Sequence, residues 1–117
     1  MQQIALFIRH QTQPGQREAV RQVWERHMPS AVAANPGHLA YFYCFDEQDT
    51  DSICAFQLYE SAAASQAFLQ DPRYRAYLQE VEPLLAGPPQ VTTLAPQWSK
   101  TLGDVATLNG GSAQTDP

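Results

Sequence analysis

The sequence predicts an α+β domain of ferredoxin-like type, a split βαβ arrangement in the order βαββαβ with helices on one face of an antiparallel sheet. Three observations predict it. Two segments dense in aromatic and β-branched residues, HLAYFYCF at 38 to 45 and SICAFQLY at 52 to 59, flank a short acidic link, the pattern of a β-hairpin. Helical periodicity precedes that hairpin and recurs after it. Apolar, β-forming runs stand at the two ends of the order, at 3 to 10 and 90 to 98.

The first strand, QIALFIRH at 3 to 10, stops at a polar stretch holding Pro14 and Gly15. From Gln16 onward Val20, Val23, Trp24, Met28, Ala31 and Val32 recur at helical spacing, with Arg17, Arg21, Glu25 and Arg26 on the other face. Pro29 lacks an amide donor and is expected to kink or interrupt this helix, and Asn35, Pro36 and Gly37 to end it. The link DEQDTD at 46 to 51 closes the hairpin. If Asp46 pairs with Ser52, Cys44 lies directly across from Cys54, whereas a one-residue slip puts the two on opposite faces. Ser61 is a cap for a second helix through Ala64, Ala67 and Phe68, and Asp71 with Pro72 signals a fresh helical start. Tyr74, Tyr77, Leu78, Val81 and Leu85 carry that helix to the breakers Gly87, Pro88 and Pro89. Pro96 argues for an edge or a bulge near the end of the last strand, 90 to 98. Residues 1 to 100 thus form one domain, and 101 to 117, with three of the six glycines and no basic residue, read as a C-terminal tail. Val105 and Leu108 give that tail an apolar grip for packing on a partner subunit.

Composition narrows the function. The chain has 117 residues, 44% of them hydrophobic and 16% charged, which is globular rather than disordered. Seven basic against twelve acidic side chains leave a net charge of -5, so nucleic acid and anionic membrane are poor partners. No apolar run approaches the roughly 18 residues of a membrane span, and MQQIALFIRH lacks the basic start of an export signal; a soluble, cytoplasmic protein is expected. Cys44 and Cys54 lack CxxC spacing and are expected as small buried apolar groups. With His10, His27 and His38 far apart and no HExxH, no metal ion is expected. Nucleotide and serine-hydrolase motifs, GxxxxGK[ST], GxGxxG and GxSxG, are also missing.

An antiparallel sheet covered on one side should alternate apolar with polar residues. This one does not. The first strand sets Ile4, Leu6 and Ile8 against Ala5 and Phe7, and the second sets Leu39, Tyr41, Tyr43 and Phe45 against Ala40, Phe42 and Cys44. Two apolar faces in so short a chain imply a second copy as cover, a homodimer packed sheet to sheet.

His10 ends a strand and His38 starts one, so either can stand at a sheet rim and move a proton near neutral pH. His27 shares the stripe of Trp24 and Met28 and is expected to be packed. Arg73 precedes Tyr74 and is a candidate holder of an anionic or phenolate oxygen. Aromatic residues are the strongest feature beyond the fold. A subset, Trp24, Tyr41, Phe68, Tyr74 and Tyr77, is expected to line a pocket for a flat aromatic or hydrophobic ligand.

The segments IALFIRHQTQPGQREAV, NPGHLAYFYCF and FQLYESAAASQAFLQDPRYRAYL, with the closing strand, resemble the antibiotic biosynthesis monooxygenase domain of the dimeric α+β barrel superfamily. The resemblance spans about residues 3 to 98; its signature is the order and spacing of Pro14–Gly15, Pro36–Gly37, Tyr41 and Tyr59–Glu60–Ser61. It implies a barrel-forming homodimer and a cofactor-independent monooxygenase of a small phenol or quinol, with Arg73 polarising the oxygen, Tyr74 or Tyr41 hydrogen-bonding it, and His10 or His38 as base. The alternatives are a noncatalytic barrel that binds a hydrophobic metabolite and an isomerase or decarboxylase on the same scaffold. The chain departs from the family where many members carry a stretch like AHLxSPHF: those two histidine positions fall on Phe68 and Arg73, and alanines at 62 to 64 replace the tryptophan after the Tyr-Glu pair. Ile8 stands where the haem-degrading branch has asparagine, which disfavours haem oxygenation.

Overall fold

The computed structural model describes residues 2–100 and the paired backbone at 103 and 104. Strands β1 (Ile4–Gln11), β2 (His38–Phe45), β3 (Ser52–Tyr59) and β4 (Gln90–Leu94) form one sheet, and helices α1 (Arg17–Ala33), α2 (Ala62–Leu69) and α3 (Pro72–Val81) are threaded between them. The sheet order is β2-β3-β1-β4 with every neighbour antiparallel, so the chain has the ferredoxin-like α+β fold. A two-residue ribbon, β5 (Trp98–Ser99) with β6 (Gly103–Asp104), follows. The tail expected beyond residue 100 otherwise lies outside the described residues.

Local chemistry explains the boundaries. Gly15 turns the chain before α1 at φ +78°, a conformation that costs a glycine nothing. The Ser61 side chain accepts a hydrogen bond from the Ala64 amide, and Asp71 caps the Arg73 amide with Pro72 in the first turn. Helix α3 ends at Val81, where a 3-10 turn at Glu82–Leu84 takes over, so its stripe stops short of Leu85.

Three expectations are corrected. Pro29 does not interrupt α1, which runs unbroken through 17 residues. The bond a proline forfeits here is to Glu25, and both residues lie on the exposed side of the helix, where an unpaired carbonyl costs least. The last strand stops at Leu94, short of Pro96, and lies at the sheet edge with all five residues exposed. The register also shifts between His38 and Ala40, turning His38 toward the helices and leaving Leu39 43% exposed.

Sheet register sorts the faces. Facing the helices are four rows, Ile4–Tyr59–His38, Leu6–Gln57–Tyr41, Ile8–Ala55–Tyr43 and His10–Ile53–Phe45. Val20, Val23, Met28 and Ala31 of α1 and Tyr77 and Val81 of α3 complete the core with them. The opposite face carries the rows Ala40–Leu58–Ala5–Leu94, Phe42–Phe56–Phe7–Thr92 and Cys44–Cys54–Arg9–Gln90. Phe42 is 60% exposed there, and Phe56 and Leu94 are exposed too. Cys44 is exposed and Cys54 partly so, and both are free thiols rather than the buried groups expected.

Candidate functional site

The turn Asn35–Pro36–Gly37 positions the site. Asn35 Nδ2 donates to the Ala64 carbonyl at 2.9 Å, and its Oδ1 accepts from the Gly37 amide at 3.0 Å. The Gly37 carbonyl accepts from the Glu60 amide at 2.8 Å. A Cβ on Gly37 would stand 2.6 Å from the Ala64 Cβ, so only glycine lets the turn seat this closely on α2. The clamp feeds directly into His38 and sets the bulge that turns it inward.

His38 is the centre of the cluster. It stacks on Tyr59 at 4.3 Å between ring centroids, meets Phe68 edge-on at 5.0 Å and lies 5.3 Å from Tyr41. From Tyr41 the contacts run to Trp24 at 5.6 Å and on to Tyr43 at 4.5 Å; from Phe68 they run to Tyr74 at 5.0 Å and on to Tyr77 at 6.4 Å. One aromatic chain therefore crosses from α1 over the sheet to α2 and α3. Of the residues singled out from the sequence, the structure brings together His38, Trp24, Tyr41, Phe68, Tyr74 and Tyr77.

Polar groups inside this wall are sparse. Both ring nitrogens of His38 are buried without a hydrogen-bond partner, and so is the Tyr43 hydroxyl. Such orphaned groups are costly in an apolar setting and call for a partner. Burial pushes the His38 pKa down to about 4, so the ring is neutral at physiological pH, one nitrogen a donor and the other an acceptor. Trp24 Nε1 donates to the Tyr41 hydroxyl oxygen at 3.1 Å, leaving the Tyr41 proton free for another acceptor. Tyr41 keeps that proton, because burial pushes its pKa up to about 12. Tyr59 donates to Gln57 Oε1 at 2.5 Å and holds its proton firmly for the same reason.

The other candidates lie elsewhere. His10 is buried on the helix-facing side with Nδ1 unpartnered and its pKa lowered by burial to about 4, but it sits in the fourth row and His38 in the first. Six residues of strand, about 20 Å at the usual rise, separate those rows. Arg73 is taken up at the surface: Nε and one terminal nitrogen grip Asp71 at 2.9 and 2.8 Å, and the other terminal nitrogen reaches the Ser30 carbonyl at 3.3 Å. His27 is drawn off the apolar stripe toward Glu80, 2.6 Å from its Nε2.

Two residues that complete the inner wall, Gln57 and Tyr59, were not singled out from the sequence as site residues. Alternation with the apolar Ala55 was the signal that both face inward. A groove of about 480 Å³ between the end of α3 and the chain leading to β4 is lined by Leu78, Glu82, Leu85, Ala86 and Pro88 among others, and by none of the aromatic cluster. It offers one carboxylate and no paired titratable group. Among the described residues no three of His, Cys, Asp and Glu come together as a metal site, and no helix is long and apolar enough to cross a membrane.

Residues 3–80, more than half of the chain, match the family described as antibiotic biosynthesis monooxygenase. The chain belongs to that family. Solved structures share the fold. Rv0793 of Mycobacterium tuberculosis is 26% identical with a TM-score of 0.74, covering 84% of this chain and 98% of that one. NE2512 of Nitrosomonas europaea, a protein of unknown function, is 25% identical with a TM-score of 0.74, covering 86% and 94%. A Chloroflexus aurantiacus J-10-fl protein assigned provisionally to the antibiotic biosynthesis monooxygenases is 24% identical with a TM-score of 0.73, covering 86% and 99%. No curated protein sequence matches the chain. In this member of the antibiotic biosynthesis monooxygenase family, aromatic rings surround a histidine whose ring nitrogens have no hydrogen-bond partner.

Proposed function

We propose that the domain binds a small phenol or quinol against the His38 cluster and oxygenates it with dioxygen, without a cofactor. The observation that carries the reading is the buried, neutral imidazole with two vacant nitrogens, set among the rings of Tyr41, Tyr59 and Phe68. Its acceptor nitrogen takes the hydrogen bond of a phenolic O–H, and Tyr41 donates to a second oxygen. The proton passes to His38 only as negative charge grows on the ligand oxygen, since that charge offsets the desolvation that otherwise keeps the ring neutral. For a hydroquinone the balance is a hydroxyquinone and water. One oxygen atom enters a ring C–H bond and the other leaves as water, the four electrons coming from that carbon and from the quinol-to-quinone oxidation. Arg73 has no part in this scheme, its guanidinium being committed to Asp71.

The mutual contacts of Phe68, Tyr74 and Tyr77 support a second reading, a noncatalytic domain that admits a hydrophobic guest only when a ring moves aside. Dioxygen uptake by metal-free protein against hydroquinones, naphthols and anthrone-type phenols separates the two. The first reading expects uptake above autoxidation, lower by about 100-fold in His38→Phe, in line with loss of a general base. Quenching of Trp24 fluorescence in a Trp98→Phe background, with no uptake, selects the second.

The same reading places a second copy on the open face of the sheet. The row Phe42–Phe56–Phe7, flanked by Leu58 and Leu94, supports a sheet-to-sheet homodimer closing a barrel. Light scattering is expected to give twice the chain mass, and Phe42→Lys the single-chain mass; a monomeric wild type refutes the pairing.

A further inference from the structure

The open face ends in the row Cys44–Cys54–Arg9–Gln90, which the chemistry proposed above does not use. Cys44 and Cys54 are direct partners in the antiparallel ladder of β2 and β3, and both are free thiols. Directly opposed residues in such a ladder have Cα atoms about 4.5 or 5.5 Å apart, depending on the kind of pair. Either spacing falls inside the window of about 4.4–6.8 Å that a disulfide spans, and both side chains project from the same face. No backbone rearrangement is needed to join them.

The surroundings favour the reaction as well as the geometry. Arg9 is the register partner of Cys54 on β1, and its guanidinium interacts electrostatically with that residue. Its NH1 is held in place by Asp46 at 3.1 Å and by Ser52 Oγ at 2.5 Å. A fixed cation on the neighbouring strand steers an anionic disulfide oxidant toward this row. The pair lies at the hairpin-loop end of the face, beyond the Phe42–Phe56–Phe7 row through which the proposed second copy packs, so exposed Cys44 meets the oxidant first and the less exposed Cys54 is positioned to resolve.

We infer that Cys44 and Cys54 form a reversible intramolecular disulfide by exchange with a small disulfide oxidant. The Cys44 thiolate attacks one sulfur of the oxidant and expels a thiolate, leaving a mixed disulfide. The Cys54 thiolate then attacks the Cys44 sulfur, forms the cross-strand bond and releases the second half of the oxidant. Two cysteine thiols are oxidised, one disulfide is reduced to two thiols, and the two protons end on those thiols. The bond ties β2 to β3. Strand β2 is an edge strand held through one neighbour, and its other face carries His38, Tyr41 and Tyr43. Oxidation thus braces one wall of the aromatic cluster.

Oxidised glutathione is the probe, applied to the full chain under native conditions and read by intact mass and titration of free thiols. The expected product is a single chain lighter by two hydrogens, with no free thiol, a cross-linked 44/54 peptide pair after digestion and full recovery of both thiols on reduction. Cys44→Ser, a change at an exposed position, is expected to stop the internal bond and leave at most one glutathione adduct on Cys54. Stable double glutathionylation, a disulfide joining two chains, or two thiols that persist under excess oxidant each overturn the inference. None of these readings depends on oxygenase activity, so failure here is separate from failure of the proposed chemistry.

Discussion

Phe68→Ala tests whether the aromatic chain both holds the fold and marks the ligand's place. Phe68 is 2% exposed and lies within 5.0 Å of the His38 and Tyr74 rings and 6.1 Å of Tyr59. Truncating a buried phenylalanine costs about 3–5 kcal/mol through lost transfer energy and the cavity left behind. Aromatic pairs contribute roughly 0.5–1.5 kcal/mol each beyond area, so the loss of three ring contacts places this site at the upper end of that range, about 4–5 kcal/mol. A domain with about 5–15 kcal/mol of stability then still folds. The cavity opens beside the vacant nitrogens of His38, so a phenol can fill it and restore part of the loss. Ligand at 100 times its dissociation constant contributes about 2.7 kcal/mol. Urea unfolding of wild type and variant, with and without phenol at neutral pH, measures both quantities. A loss below about 1.5 kcal/mol, under the range for such truncations, refutes the packing argument. A phenol shift equal in the two proteins refutes the placement of the site.

Acid should destabilise the protein through its buried histidines. His10 and His38 have folded pKa values of about 4, below the ordinary 6.5, so the unfolded chain binds more protons between those limits. Stability is therefore constant above about 6.5 and falls as pH drops toward 4, by at most about 1.4 kcal/mol per pH unit for each histidine. Denaturant midpoints against pH should flatten in His38→Gln; an unchanged slope dismisses the burial argument for that ring. Gly37→Ala drives a Cβ to within 2.6 Å of Ala64 and 3.1 Å of Glu60, an overpacking expected to cost about 1–3 kcal/mol in thermal or urea unfolding. Trp24→Phe removes the donor to Tyr41 and should cost about 1 kcal/mol, with the Tyr41 pKa rising further because the bond that stabilises its anion is gone.

The fold was legible because its signals are local. Runs of β-forming residues in β1 and β3, the caps at Ser61 and Asp71, and the breakers around Gly15 and Gly37 each act within a few residues and agree with one another. Of the two registers the sequence left open for the hairpin, the structure adopts the one in which Asp46 bonds to Ser52 and Cys44 faces Cys54. What escaped depends on contacts between distant segments. Unbroken alternation back from Phe45 puts Leu39 inward and His38 outward. The structure reverses this because Asn35 and Gly37 are clamped to Ala64 and Glu60, residues that reach them only after the hairpin is complete. Arg73 looks like a free cation in sequence, yet the aspartate that caps its own helix takes the guanidinium too.

Arg17 shows the same principle from the other side. Helical period assigns it to the solvent face of α1, but it stands in the first turn, where the hairpin loop passes. There its NH1 donates to the carbonyls of Asp46, Asp49 and Ser52, and the guanidinium lies 4.0 Å from the Phe45 ring. The two cations that an anionic ligand would need, Arg17 and Arg73, are thus both spent on structure. Within the described aromatic cluster the functional groups that face one another are neutral at pH 7: an imidazole, phenols and an indole. A guest carrying a permanent carboxylate or phosphate would meet no counter-charge there and would pay the full cost of burial. A neutral phenol would not, because it becomes charged only as it hands its proton to His38. The absence of a free cation among the described residues of the cluster and the presence of a vacant imidazole therefore favour the same class of ligand, one that enters uncharged and offers a single acidic hydroxyl.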